Sequence, residues 1–319
     1  MTITESQAKG LKTRFFNEAC REIDLAFHSF KKVPLKNNIH GWNKYVSRFK
    51  KAFRRTYLVL YEGGSRKKPY LASCSFYINP ENKYNSWKEQ CLSATSFFMD
   101  TNHAFNEHPC MFNIGEHAIS RLFQRAEFTV DEDGLPVTFS ILPELKLIPL
   151  WAAYWTFLCF RMREDFLEIY PVIPAKSGLF FAEINVDTHN LEIRTFVSDS
   201  QLNERQLLTK KLMVEASDGL ENSPLPFSPA LEYHGYDDSY MQQRIMSFRL
   251  AKDLELIVGG VCSRSNDNNL RLKSKDFLKK YLLNECSGIT EGMSNGYKGS
   301  NIRLIHNKIH EFDITGRMP

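Results

Sequence analysis

Apolar positions along the chain follow helical and strand periods, and together they predict a mixed fold. In residues 5–33 apolar side chains recur at every fourth position: Leu11, Phe15, Ala19, Ile23 and Phe27. This spacing is typical of one face of an amphipathic helix. The same spacing relates Tyr45, Phe49, Phe53 and Tyr57. It predicts a second helix over residues 42–55 with these rings on its buried face.

A first antiparallel hairpin is predicted directly after this helix. The run TYLVLY at residues 56–61 is rich in strand-forming side chains, and Gly63 and Gly64 then signal a turn. Residues 70–78 alternate well enough to be the partner strand. Residues 65–68 would therefore form an exposed hairpin tip.

A second and clearer hairpin joins two strands of alternating pattern through a polar turn. The strands cover residues 178–186 and 191–197, and the turn covers 187–190. A weaker strand is predicted over 135–141, whereas the chain between Met99 and Asn113 has the pattern of a loop.

Three further helices are predicted, over 113–126, 147–168 and 202–215. Asn113 with Glu116, and Asn203 with Gln206, have the three-residue spacing of a helix N-terminal cap. The middle helix is apolar on all sides, so we expect it in the core. Its 14-residue apolar run is shorter than the roughly 20 residues that a bilayer-spanning helix needs, and a membrane-associated segment is the alternative.

The order of these elements predicts an α+β protein in which helices pack on an antiparallel sheet, with more than one subdomain. Residues 1–95 form a basic N-terminal region of helices and a hairpin, and residues 96–218 form an α+β core and candidate active domain. The run ENSPLPFSP places a linker at 219–232. Residues 233–319 form a C-terminal α+β region with a strand at 254–261 and a basic helix at 275–283.

Composition predicts that the chain folds, and the cysteines and the N-terminus predict that it stays inside the cell. Hydrophobic residues make up 43% and aromatic residues 13% of the sequence, far from the composition of disordered chains. The seven cysteines are scattered without a CxxC pair, which fits reduced thiols. The first ten residues lack the pattern of a secretory signal. We therefore expect a cytoplasmic protein without a membrane partner.

Positive charge is concentrated in one seventh of the sequence. Residues 28–70 contain twelve lysines and arginines against one acid, Glu62, so this window carries +11. The whole chain carries +4, which leaves −7 for the rest. Because local fields steer a polyanion, this window favours nucleic-acid contact.

The cations expected to contact nucleic acid lie on the second helix and the first hairpin tip. Arg48, Lys51 and Arg55 form an exposed stripe beside the aromatic one, and further candidates are Arg54, Arg66, Lys67 and Lys68. An ordinary solvated helix face and an acidic protein partner are the alternatives.

Candidate chemistry is found on the helix predicted at 113–126. His117, Arg121 and Arg125 are four residues apart and line one edge of it. Imidazole can move a proton near neutral pH, and guanidinium groups can hold a phosphate. A surface stripe with a partly buried histidine is the alternative. The second hairpin adds Glu183, Arg194 and Thr195, which can share a face or be separate exposed strand residues.

Four short motifs within residues 110–215 resemble the helix-plus-antiparallel-sheet core of small ribonuclease toxins, the barnase, EndoU, colicin and RelE-like nucleases. The motifs are HAISRLFQR, GLFFAEI, IRTFVSDS and NERQ. The resemblance implies a metal-independent ribonuclease of toxin or defence type, with RNA as its favoured ligand. It assigns the histidine role to His117 and the sheet-borne polar roles to Arg194 and Thr195.

The common glycine-rich motifs for binding dinucleotides and phosphates are absent from the sequence. It contains no GxGxxG or GxxxxGK pattern. His306 and His310 have a spacing that can bind a metal, but no third ligand follows at a telling distance. We expect no cofactor and no metal. Three hypotheses remain: a ribonuclease, a non-enzymatic nucleic-acid-binding protein, and a protein-interaction module with a basic face.

Overall fold

The computed structural model of the chain describes residues 3–30, 39–79, 89–100, 106–126, 137–162, 170–185, 190–236 and 239–251. The strand predicted at 254–261, the helix predicted at 275–283, and His306 and His310 lie outside these residues.

Seven strands form a single sheet. They are β1 (Tyr57–Ser65), β2 (Lys68–Asn79), β3 (Cys91–Asp100), β4 (Asn106–Gly115), β5 (Val172–Ala175), β6 (Gly178–Ile184) and β7 (Leu191–Ser198). Their order across the sheet is β1-β2-β3-β4-β7-β6-β5. Neighbours are antiparallel except at β4 and β7, which run parallel, with Asn113 beside Glu192. Two antiparallel halves thus meet at one parallel seam.

Helices pack on this sheet and at its ends. In chain order they are α1 (Glu5–Phe30), α2 (Ile39–Ala52), α3 (Glu116–Arg125), α4 (Leu142–Leu145), α5 (Ile148–Met162), α6 (Glu204–Ser217), α7 (Ser228–Tyr233) and α8 (Ser239–Ala251). Short 3-10 helices cover Val137–Ile141, Asp199–Gln201 and Leu225–Phe227. Together with the sheet, they confirm the predicted α+β class.

The main core lies where α1, α3 and α5 meet the sheet. Trp151, Tyr154 and Trp155 of α5 are fully buried, as expected for a helix that is apolar on all sides. The indole Nε1 of Trp155 donates to the carbonyl of Val172 at 2.9 Å and so connects α5 to the edge strand β5. No helix within the described residues is long and apolar enough to cross a bilayer.

A second cluster of buried side chains holds α2 in place. Phe49 and Phe53 stack with ring centroids 4.5 Å apart, and Phe30 of α1 lies edge-on to Phe49 at 5.4 Å. Leu71 and Met99 of the sheet complete the cluster. Tyr45, Phe49 and Phe53 are therefore buried as predicted, whereas Tyr57, the fourth ring of the predicted stripe, begins β1 and is partly exposed.

Both predicted hairpins are confirmed, since β1 pairs antiparallel with β2 and β6 with β7. The predicted cap of α6 is confirmed as well. The Asn203 side chain accepts from the N–H of Gln206 at 2.9 Å, and the Gln206 side chain accepts from the N–H of Asn203 at 3.0 Å.

Predictions made from local sequence patterns failed for strands that are buried on both faces. The predicted loop between Met99 and Asn113 contains most of β4, and β3 was not predicted. Nearly every side chain of β3 is buried, so no alternation marks it. Asn113 is a strand residue that accepts from the Ser93 hydroxyl at 2.5 Å, and Gly115 caps α3 without a side-chain bond. The weak strand predicted at 135–141 is a 3-10 helix over Val137–Ile141.

The predicted subdomain limits fall within packed structure. The limit between residues 95 and 96 lies inside β3, whose neighbours on both sides belong to the same sheet. In the segment predicted as a linker, Leu225 and Phe227 are buried in the main core. Two of the large side chains in this proline-rich run therefore pack inward.

Candidate nucleic-acid interface and candidate active site

The basic edge of α2 is exposed because its aromatic edge is buried. Tyr45, Phe49 and Phe53 point into the second cluster, so Arg48 and Lys51 on the neighbouring stripe face solvent. Arg54 lies two residues after the end of the helix and is exposed as well. The structure therefore presents these three predicted phosphate contacts to solvent.

Two cations of the same region have acidic partners. Lys50 forms an ion pair with Glu62 of β1, which is the single acid of the basic window. Arg55 donates from Nη1 to Oε1 of Glu22 in α1 at 3.0 Å. Arg55 thus connects α1 to the segment after α2. To contact a phosphate, as predicted, Arg55 would first have to break its ion pair with Glu22.

The tip of the β1–β2 hairpin carries three more exposed cations. Ser65 pairs with Lys68, so Arg66 and Lys67 form a two-residue turn. Gly64 adopts a φ of 82°, which side chains other than glycine rarely accept. The Lys50–Glu62 ion pair places the C-terminal half of α2 beside β1, three positions before the tip. The helix and the tip thus belong to one region of the surface.

A groove of about 540 Å³ runs between α1 and α2 beside these cations. Its lining combines small and apolar side chains with charged ones: Glu22, Leu25, Ala26, Ser29, Phe30, Arg48, Lys51 and Ala52. Leu25 is 56% exposed, a large value for a leucine. Arg48 and Lys51 therefore stand at an indentation and not on a flat helix face.

The predicted proton-transfer group lies on α3. His117 is exposed, and partial burial of its ring together with Arg121 and Arg125 lowers its pKa, while Glu5 of α1 acts in the opposite direction. A lowered pKa keeps the imidazole neutral at pH 7, the form that accepts a proton. The three residues do share one edge of the helix, as predicted.

Each of the two arginines has an internal partner. Arg121 donates from Nη1 to the side-chain oxygen of Gln124 at 2.6 Å, and Arg125 donates from Nη1 to the carbonyl of Phe196 in β7 at 2.6 Å. The second bond ties α3 to the sheet. Arg125 therefore has a structural role whether or not it contacts a ligand.

The polar residues of the second hairpin form their own ion-pair network. Arg194 donates from Nε to Oε2 of Glu183 at 3.0 Å, and its Nη2 forms an ion pair with the same oxygen at 2.9 Å. The same Nη2 lies 3.5 Å from Glu192. Glu192 is 2% exposed and accepts from Asn185 at 3.0 Å. Burial raises the pKa of Glu192, whereas the Asn185 hydrogen bond and Arg194 lower it. Sequence reasoning missed Glu192, although its alternation with Arg194 along β7 places both on one face.

The predicted catalytic set therefore forms two groups. Glu183 and Arg194 are joined by an ion pair, and His117, Arg121 and Arg125 share the α3 edge. Thr195 is partly exposed on β7. The helix α3, which carries His117, packs against β7, which carries Arg194 and Thr195.

Comparison with known proteins adds no assignment: the chain matches no family model, no curated protein and no solved structure. Within the part of the chain that the structure describes, no group of three or more histidine, cysteine, aspartate or glutamate side chains is arranged to hold a metal ion.

Proposed function

We propose that this protein binds nucleic acid, with RNA favoured, through a basic face formed by Arg48, Lys51, Arg54, Arg66, Lys67 and Lys68. One observation carries the proposal. All six are exposed and have no ion pair among the described residues, whereas the two neighbouring cations with acidic partners, Lys50 and Arg55, are neutralised.

The physical basis is the release of counterions from the polyanion. Each phosphate that a lysine or arginine neutralises frees a condensed cation, so binding weakens steeply with salt. Cations without acidic partners meet a phosphate without first breaking an ion pair. The preference for RNA rests on the resemblance of residues 110–215 to ribonuclease toxins.

A salt titration of RNA affinity tests this proposal. Fluorescence anisotropy of a labelled single-stranded RNA gives the dissociation constant at several salt concentrations, for wild type and for Arg48→Ala with Lys51→Ala. The slope of log affinity against log salt is negative. Each lost contact should make it shallower by about 0.7, so the slope of the double variant should be shallower by about 1.4. Lys9→Ala, which removes an exposed cation of α1, is the matched control. An unchanged slope in the double variant would contradict the proposal.

The surface chemistry also distinguishes nucleic acid from an acidic protein partner. A phosphate backbone engages many cations in one row, and its affinity follows the number of cations removed in a graded way. A folded acidic partner depends on a few buried central contacts. Stepwise removal of the cations on α2 and the hairpin tip should therefore give equal decrements with RNA.

A second candidate function is metal-independent cleavage of RNA at α3. The observation that favours it is the exposed His117 imidazole with its lowered pKa beside two guanidinium groups. His117 would take the proton from the ribose 2′-hydroxyl as that oxygen attacks phosphorus. The bond from phosphorus to the 5′-oxygen then breaks, which leaves a 2′,3′-cyclic phosphate, and the 5′-oxygen leaves with a proton from water. Arg121 and Arg125 would stabilise the charge on the phosphoryl oxygens.

Product analysis on single-stranded RNA in the presence of a chelator tests this candidate. His117→Ala should lower the rate by about 10²- to 10⁴-fold and leave RNA binding nearly intact. His28→Ala, an exposed histidine of α1, should cleave as wild type does. DNA of the same sequence should stay whole, since it lacks the 2′-hydroxyl. If wild type leaves RNA intact, the binding function stands alone.

A further inference from the structure

Two histidines that are 126 residues apart meet on the face of the sheet opposite α2. His108 lies on β4, and His234 directly follows α7, where its N–H donates to the carbonyl of Ala230 at 3.1 Å. Their Nε2 atoms are 3.4 Å apart. Equivalent nitrogens of the two rings thus lie within contact distance of each other.

Aromatic packing fixes both rings. The ring of His234 stacks on Phe98 of β3 with centroids 4.2 Å apart and planes 9° apart. Tyr233 lies edge-on to both histidines, at 5.8 Å from His108 and 5.0 Å from His234. The planes of the two imidazoles are 85° apart. Their nitrogens are therefore held in place by neighbours that do not depend on a ligand.

The separation of the two nitrogens matches one edge of a metal coordination tetrahedron. Zinc binds imidazole nitrogen at about 2.0 to 2.1 Å in tetrahedral geometry, which puts two such nitrogens about 3.3 to 3.4 Å apart. The observed distance is 3.4 Å.

We propose that His108 and His234 form a two-histidine site for a late first-row divalent cation such as Zn²⁺, with water completing its coordination. Both histidines are partly exposed residues, and the adjacent Tyr233 is 79% exposed. The site does not depend on the basic face and is separate from the edge of α3.

The electrostatics of the pair favour the form that binds metal. Burial, and then the neighbouring His234, lower the pKa of His108, which favours its neutral form. Only neutral imidazole has a lone pair for the ion. A bound cation would join β4 to the end of α7 and so hold this helix on the sheet. Binding to the folded state alone would raise its stability.

Calorimetric titration of the full chain with zinc chloride, after chelator treatment and at pH 7.5, tests the site. Wild type should bind one Zn²⁺ tightly, and His108→Gln and His234→Gln should each weaken that binding at least tenfold. The chain has nine histidines, so a matched control is needed. His28→Gln removes an exposed histidine of α1 and should leave the tight site unchanged. Zn²⁺ should also raise the melting temperature of wild type but not of the two site variants.

Copper gives a measurement that needs no variant. Cu²⁺ binds imidazole more tightly than Zn²⁺ does, and its electron paramagnetic resonance spectrum in wild type should show two equatorial nitrogens. The proposal is overturned if wild type binds no Zn²⁺, in which case the pair is a simple N–H···N hydrogen bond. It is also overturned if both glutamine variants bind Zn²⁺ as wild type does, or if Cu²⁺ shows fewer than two nitrogens.

Discussion

Arg194 directs two nitrogens at one oxygen of Glu183, with Nε at 3.0 Å and Nη2 at 2.9 Å from Oε2. Glu192 lies 3.5 Å from the same Nη2. One guanidinium therefore faces two carboxylates, and it is the only cation with a salt bridge to either carboxylate among the described residues. The Arg194 side chain, a candidate for phosphate contact by sequence, is committed to holding β6 and β7 together.

Arg194→Ala should destabilise the protein by about 1–3 kcal/mol, because it leaves the buried Glu192 without its cation. Urea denaturation followed by circular dichroism measures the change. The adjacent Thr195→Ala, on the same strand and partly exposed, should change stability by less. If Arg194→Ala also changes stability by less than about 0.5 kcal/mol, as exposed substitutions do, the network does not contribute.

Glu22→Gln should strengthen RNA binding, because it frees Arg55 from its ion pair beside the basic face. The slope of log affinity against log salt should become steeper by up to about 0.7, the value for one additional phosphate contact on a single strand. Stability should fall by no more than about 1 kcal/mol, since both side chains are partly exposed. Glu5→Gln, which also removes one exposed acid of α1, should leave the slope unchanged. Equal slopes for both variants would exclude Arg55 from the interface.

Arg121→Gln and Glu5→Gln should shift the pKa of His117 in opposite directions. Arg121 lowers this pKa and Glu5 raises it, so removing the first charge should raise it and removing the second should lower it. Nuclear magnetic resonance titration of the imidazole protons in each variant measures the shifts. If neither variant shifts the pKa, burial alone sets its value, and shifts of the same sign would contradict the assigned charge effects.

The same shift predicts how stability depends on pH. The pKa of His117 lies below that of the unfolded chain, about 6.5. The unfolded chain therefore takes up this proton first as the pH falls. The contribution of neutral His117 to stability is fully present above pH 6.5 and is lost as the pH drops toward the folded pKa. Between pH 7.5 and 5.5 wild type should lose more stability than His117→Gln. Parallel pH profiles would contradict this.

Gly64→Ala should destabilise the hairpin more than Gly235→Ala destabilises the turn after α7. Both glycines have positive φ angles, 82° and 77°, so each substitution carries a backbone cost of about 1–2 kcal/mol. A Cβ on Gly64 would lie 2.3 Å from the carbonyl oxygen of Lys68, whereas a Cβ on Gly235 would meet nothing within 4 Å. Denaturation of the two variants compares them, and equal losses would show that the hairpin backbone adjusts freely.

Local patterns in the sequence determined several elements correctly. The spacing of Phe49 and Phe53 predicted the buried face of α2, and the exposed position of Arg48 follows from it. The spacing of Asn203 and Gln206 predicted the cap of α6. These features depend on residues a few positions apart, so the periods of the helix and the rules of capping are enough to find them.

Only the tertiary structure decided which distant residues meet. β3 has no alternating pattern because both of its faces are covered, and its pairing with β4 came from no local signal. Arg55 meets Glu22 across 33 residues, and His108 meets His234 across 126. The sequence by itself determined the helices α1, α2, α3, α5 and α6, the two hairpins and the concentration of positive charge, but not α4, α7 or α8. The order of the strands, the partners of the charged groups and the histidine pair depend on the path of the whole chain, which local side-chain preferences do not encode.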